Sequence, residues 1–184
     1  VKFKHSAEAM PALSQGQIDV VAGGISASFF NAVARGVFIR AVADKEHLDK
    51  HDKSMALVVR KELCESGQFR SLQDLRGIRI APGYPGNMNY FRTWLILRKA
   101  GVSLDNIQIV NLSQPERVQA LKGGALDAAL LAEPMLARIK TQASGTIFAY
   151  AGEMYDFIYP SCQFGTIFFG PNLLDYLAGS FWPI

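Results

Sequence analysis

Short apolar runs without polar alternation are spaced along the chain, among them Val20-Val21-Ala22, Ala56-Leu57-Val58-Val59 and Ala128 to Ala132. Runs of this length and character predict strands covered on both faces, as in parallel sheets. Two of them follow the same pattern. Residues 12–19 read Ala-Leu-Ser-Gln-Gly-Gln-Ile-Asp, and residues 120–127 read Ala-Leu-Lys-Gly-Gly-Ala-Leu-Asp. Each copy predicts a helix that ends at glycine, a turn and a buried strand, because glycine just past a helix takes the left-handed conformation without a Cβ clash. Two copies predict two similar α/β lobes. They are too few and too far apart for a solenoid.

The rest of the pattern supplies the other elements. Val1 to Lys4, Val37 to Ala43, Ser54 to Arg60, Ile78 to Ala81, Ile107 to Leu112, Thr146 to Tyr150 and Cys162 to Phe169 read as strands. Ser6 opens a helix in which Pro11 forces either a kink or a later start, since proline deeper than the first turn removes a hydrogen bond. Residues 88–100 read as a helix behind the loop Pro-Gly-Tyr-Pro-Gly-Asn, and Glu133-Pro134 opens another. Ser113 with Glu116 three residues later forms a capping-box pattern. Residues 44–53 are strongly charged and read as a loop. Near-continuous alternation of strand and helix predicts parallel sheets with right-handed crossovers.

Composition narrows the function classes. The chain has 184 residues, 49% of them hydrophobic, so it can form one large domain or two small lobes around packed cores. The net charge is +3, and no run of Lys or Arg marks a nucleic-acid binder. No apolar stretch reaches the roughly 18–20 residues of a membrane span. Cys64 and Cys162 have no metal-ligand spacing, and His47 and His51 fall in the charged segment. The chain begins at Val1 without Met and reads as a fragment of a longer protein, with lowered stability expected from unpaired strand edges.

The candidate chemistry sits at strand ends. Ligands of open α/β sheets bind beyond the carboxyl ends of the strands. Three such ends couple a tight loop to a helix N-terminus, at Gly24 to Ser28, Gly83 to Asn89 and Ala132 to Met135, where free N–H groups and the helix dipole favour an acceptor. Ser26, Ser28, Asn87 and Asn89 add uncharged donors. Taken singly, Ser26 and Asn87 also read as plain helix caps, and Glu133 as an acid beside a helix N-terminus. There is no Gly-x-Ser-x-Gly elbow, no Walker loop and no Gly-x-Gly-x-x-Gly. No carboxylate pair or neighbouring Cys and His suggests catalysis, so an enzyme is not expected and no cofactor or metal is called for.

Ala-Leu-Ser-Gln-Gly-Gln-Ile-Asp-Val-Val-Ala-Gly-Gly-Ile-Ser, Asn31 to Gly36, Ala-Leu-Val-Val-Arg-Lys, Leu72 to Gly77 and Ala-Leu-Leu-Ala-Glu-Pro together resemble the solute-binding proteins of ABC importers for nitrate, sulfonates, taurine and thiamine-type pyrimidines. The resemblance covers Val1 to about Phe169. It implies a bilobal, type II periplasmic-binding-protein fold, truncated at both ends, in which two α/β lobes joined by two crossing segments close on a ligand. Residues 1–75 with 160–184 would form an incomplete lobe one, and residues 76–159 lobe two. Ser54 to Arg60 and Cys162 to Phe169 would run antiparallel beside the crossings.

The resemblance further implies ligand-binding roles for Gly24, Ser26 and Ala27 in lobe one, and for Gly86, Asn87, Met88, Asn89 and Glu133 in lobe two. The family usually has Ser or Thr where this chain has Asn87-Met88-Asn89, which leaves room for a neutral or heterocyclic ligand. Glu133 in the cleft would repel an anion and accept a bond from a pyrimidine amine. The implied protein is a monomer, periplasmic or a cell-surface lipoprotein, that captures a small solute and delivers it to a membrane permease. Two other readings share the architecture: the effector-binding domain of a LysR-type regulator, and a thiamine-pyrimidine synthase-like enzyme.

Overall fold

The computed structural model describes residue 3, residues 6–49, 51–155 and 161–181. In chain order the helices are α1 (Ser6–Ser14), α2 (Ala27–Ala34), α3 (Lys61–Glu65), α4 (Met88–Ala100), α5 (Gln114–Lys122), α6 (Met135–Gln142), α7 (Ala151–Tyr155) and α8 (Pro171–Phe181). The strands are β1 (Val20–Gly24), β2 (Arg40–Asp49), β3 (Met55–Val59), β4 (Arg79–Ala81), β5 (Gln108–Ile109), β6 (Ala128–Ala132), β7 (Thr146–Tyr150) and β8 (Ser161–Phe169). Single 3-10 turns span Leu72–Leu75 and Leu104–Asn106. The strand read over Val1 to Lys4 lies, except for Phe3, outside the described residues. Among the described residues no helix is long and apolar enough to cross a membrane.

The chain divides into two compact units. The first comprises residues 1–47, 86–88 and 162–184, and the second residues 48–85 and 89–161. The first holds a three-stranded sheet in the order β1-β8-β2. β1 pairs antiparallel with β8, from Val20 opposite Phe169 to Gly24 opposite Gly165. Ala9, Met10 and Leu13 of α1 project one apolar face onto Val21, Ile39 and Phe168. Pro11 lies inside α1, which runs through it unbroken, and Ser14 Oγ donates to the Met10 carbonyl at 2.6 Å.

The second unit holds a five-stranded sheet, β5-β4-β6-β3-β7. β4 is parallel to β5 and β6, while β3 is antiparallel to both β6 and β7. Its core gathers Ala56, Val58, Ala81, Val118, Leu121, Leu126, Ala129, Leu131, Leu136 and Ile139. Every residue of β3 is buried, which accounts for its unbroken apolar run.

Three expectations change. The sheets are not the purely parallel ones that the strand–helix alternation predicted: β3 runs antiparallel to β6 and β7, and β8 to β1, as the resemblance implied for Ser54 to Arg60 and Cys162 to Phe169. The segment expected to be a charged loop continues β2 to Asp49, since pairing with β8 supplies its ladder and an edge strand tolerates charge. Residues 48–75 do not stay with the first unit: β3 is built between β6 and β7 of the second. The hydrophobic pattern revealed β3 as buried but not which sheet buries it.

Candidate functional site

In the first unit the candidate residues meet at the end of β1. Gly24 closes the strand, and Ser26 follows with extended backbone at φ −140° and ψ 161°. Ser26 is buried, and its hydroxyl makes no cap to α2; it shares a 2.7 Å hydrogen bond with Ser28 Oγ. The serine pair therefore satisfies itself. The Ala27 N–H, at the start of α2, donates to the Gly86 carbonyl at 3.1 Å. Gly86 sits at φ +82°, a conformation that favours glycine. Gly86, Asn87 and Met88 thus belong to the same unit as Gly24 to Ala27, although residues 28–85 lie between.

In the second unit the site is built on the carboxyl ends of β4, β5 and β6. Three helices start beyond these ends: α4 after β4, α5 after β5 and α6 after β6. Because β3 is antiparallel to β6, its first residue, Met55, lies opposite Ala132 at this same rim. Asn89 stands in the first turn of α4. Its Oδ1 accepts a 2.7 Å bond from Arg92 Nη1, and its main-chain carbonyl accepts Thr93 Oγ1 at 3.0 Å. Arg92 is only 3% exposed and also donates to Met55 Sδ at 3.1 Å.

α5 carries a second buried guanidinium. Arg117, 3% exposed, donates through Nη1 to the Leu130 carbonyl at 2.7 Å and through Nε to the Leu112 carbonyl at 3.0 Å. One side chain thereby ties the exit of β5 to β6. Burial pulls the Arg117 pKa down to about 10, opposed by the neighbouring Tyr84 phenol. It stays charged at neutral pH. One turn earlier, the Gln114 side-chain oxygen accepts the Ala132 N–H at 3.1 Å. The predicted cap holds α5 in place: the Glu116 carboxylate accepts the Ser113 N–H at 2.7 Å.

Glu133 takes the plainer of its two readings. It is exposed, and its Oε2 accepts the Ala137 N–H in the first turn of α6 at 3.1 Å, while its own N–H donates to the Ser54 carbonyl. Its carboxylate is turned to its own helix, and no hydrogen bond joins it to Asn89 among the described residues. Among those residues, no group of three His, Cys, Asp or Glu is arranged to hold a metal.

Arg92, Gln114 and Arg117 were not singled out from the sequence. A trace was present: Arg92 is four residues before Ile96, and Arg117 four before Leu121, so each continues the buried face of its helix. A charge on such a face has to find buried acceptors.

No protein-family model matches the sequence. A protein of Brucella abortus (strain 2308), named only as a binding protein, is 31% identical over 105 residues, which are 56% of this chain and 31% of the relative. The chain therefore aligns with about a third of the curated relatives it matches. Among solved structures, the alkanesulfonate-binding protein SsuA from Xanthomonas axonopodis pv. citri, bound to MOPS, superposes with TM-score 0.70 at 21% identity, over 96% of this chain and 56% of that one. The periplasmic aliphatic sulphonate binding protein SsuA from Escherichia coli gives 0.73 at 21% identity, over 98% and 57%. An ancestral arginine-binding protein bound to arginine gives 0.57 at 20% identity, over 94% and 67%. The chain has the α/β fold of the periplasmic solute-binding proteins. The resemblance read from its motifs and the structural likeness point to the same group of proteins.

Proposed function

We propose that the chain is the extracytoplasmic solute-binding part of an ABC importer, capturing a small polar solute and handing it to a membrane permease. The observation that supports this most is the rim of the second unit. There the N-termini of α4, α5 and α6 lie at the carboxyl ends of β4, β5 and β6, with two buried guanidinium groups among them. Free N–H groups at helix N-termini, a cationic background and half-buried Asn89 and Gln114 amides form a surface for an acceptor-bearing solute. The group suited to it is an oxyanion of the sulfonate or nitrate kind, with taurine and pyrimidine-type solutes as the other members of the class. Gly24, Ser26, Ala27, Gly86, Asn87 and Met88 are proposed as further ligand contacts on the first unit. Glu133 is retained as a boundary residue whose carboxylate is occupied by its helix.

Binding fits this chemistry, in which donor groups hold and orient a solute. The protein is accordingly proposed to act as a monomer in the periplasm or at the cell surface. Isothermal titration against ethanesulfonate, taurine, nitrate and 4-aminopyrimidine tests the reading. Saturable one-to-one binding of at least one is expected, and absence of binding to all four would end it.

A further inference from the structure

The carboxamides of Asn89 and Gln114 hold more information than their exposure suggests. Each has an oxygen that accepts and a nitrogen that donates, and which end faces a ligand depends on what holds the other. Arginine has only donors, so the Asn89 atom facing Arg92 Nη1 at 2.7 Å is the oxygen. A backbone N–H also only donates, so the Gln114 atom facing the Ala132 N–H at 3.1 Å is again the oxygen. Both assignments follow from the chemistry of the partner. In both residues the oxygen already accepts from the protein, and the amide nitrogen has no hydrogen-bond partner among the described residues.

The two amides stand on neighbouring elements of one rim. Asn89 follows β4, Gln114 follows β5, and Gln114 bonds the end of β6, which flanks β4 on its other side. On these turns the Leu112 and Leu130 carbonyls already accept from Arg117, and the Asn89 carbonyl from Thr93.

We propose that Asn89 and Gln114 are specificity-determining residues, held by Arg92 and the Ala132 N–H with their nitrogens left to donate, so that these two side chains favour groups rich in acceptors over amines. This deepens the binding reading above and rests on it. An oxyanion can accept from both amide nitrogens. The amino group of a 4-aminopyrimidine meets two amide nitrogens that can only donate, and a donor left unpaired on binding is costly.

The experiment uses changes that keep the protein-facing oxygen and remove the ligand-facing donor. In Asn89→Asp the carboxylate still accepts from Arg92, now as an ion pair, and it lies in the first turn of α4, where negative charge is favoured. In Gln114→Glu the carboxylate still accepts the Ala132 N–H at the start of α5. Both variants are expected to melt at or above the wild-type temperature yet to bind ethanesulfonate at least about tenfold more weakly, since a donor to a charged acceptor becomes a like charge. Wild type is expected to prefer ethanesulfonate to 4-aminopyrimidine. If wild type binds ethanesulfonate and both acidic variants bind it equally well, or if wild type prefers 4-aminopyrimidine, the inference is overturned while the binding reading stands. Absence of wild-type binding to all four solutes, ethanesulfonate, 4-aminopyrimidine, taurine and nitrate, defeats both.

Discussion

The two copies of the octapeptide make the same corner and put it to different uses. In each, the helix closes with the same pair of bonds: Gly16 N–H to the Leu13 carbonyl and Gln17 N–H to Ala12, then Gly124 N–H to Leu121 and Ala125 N–H to Ala120. Gly16 sits at φ +68° and Gly124 at +72°. Leu13 and Leu121 are both fully buried. Beyond the corner the copies part. The strand after Asp127 is hydrogen-bonded on both sides, by β4 and β3, and four of its five residues are buried. The strand after Asp19 pairs, among the described residues, only with β8, and one of its five residues is buried. A local pattern dictates a local turn; how deeply the following strand is enclosed is decided by partners elsewhere in the chain.

The sharpest difference lies just ahead of the repeat. Counting back three residues from the alanine that opens each copy reaches Ala9 in the first and Arg117 in the second, both buried. Arg117 has two strand-end carbonyls to bond, whereas Ala9 packs among Met10, Leu13, Val21, Ile39 and Phe168. Exchanging them is expected to have the largest effects. Ala9→Arg forces a guanidinium into a wholly apolar cluster and should cost about 4 kcal/mol or more, enough to unfold the first unit. Arg117→Ala leaves a cavity and two carbonyls without their donor, and should cost about 2–4 kcal/mol. Urea unfolding measures both, and equal, small losses would show that the two helices are interchangeable after all.

Next in size is the aspartate that ends each copy. Asp127, 7% exposed, accepts the Arg79 backbone N–H at 2.9 Å and Arg79 Nε and Nη2 at 2.9 and 2.8 Å, with Arg60 Nη2 at 3.2 Å. It staples the start of β6 to the start of β4. Asp19 is exposed, and its side chain has no partner among the described residues. Asp127→Ala should cost about 2–3 kcal/mol, less than a fully buried pair because both arginines are partly exposed. Asp19→Ala should stay within about 0.5 kcal/mol. Burial pushes the Asp127 carboxyl up, but the Arg79 bonds and the Arg79 and Arg60 charges outweigh it and hold the pKa below the ordinary value. Its contribution is therefore complete above the unfolded value of about 3.9 and is lost as pH falls through the lower folded value. Asp127→Asn should flatten that acid limb of the second unit's stability.

Much of the fold was legible because these corners are local. Ala128 to Ala132, residues 88–100 and Thr146 to Tyr150 were placed within a residue from apolar runs, glycine stops and the Pro-Gly-Tyr-Pro-Gly loop. Strand direction was not legible in the hydrophobic pattern, since an apolar run such as Met55 to Val59 looks the same whether its neighbours are parallel or antiparallel; the antiparallel course of Ser54 to Arg60 came from the resemblance alone. The charges of residues 44–49 masked β2 because an edge strand needs only a partner's ladder, which β8 supplies from over 100 residues away. At the candidate site, Asn89 was visible as a polar residue behind a tight loop, but Arg92 and Gln114, which fix how its rim presents itself, act through bonds to Met55 and Ala132. Such pairings are set by sheet topology and leave no mark in the spacing of residues.

The smallest expected effect separates the glycine that makes the corner from the one that merely accompanies it. The fourth position of the repeat is Gln15 in the first copy and Gly123 in the second. Gly123 has ordinary backbone at φ −84° and ψ 0°, and a Cβ built on it lies 3.4 Å from the Gln119 carbonyl oxygen. The first copy already carries a full side chain there. Gly123→Ala should therefore change stability by no more than about 0.5 kcal/mol, and a small gain is expected from the stiffened unfolded chain. Gly124→Ala, one residue on, must hold alanine at φ +72° with its Cβ 3.0 Å from Arg60 Nη1, and should cost about 1–2 kcal/mol. If urea midpoints show Gly123→Ala to be the more damaging of the two, the left-handed residue is not what turns the chain from helix to strand, and the likeness between the two corners loses its physical basis.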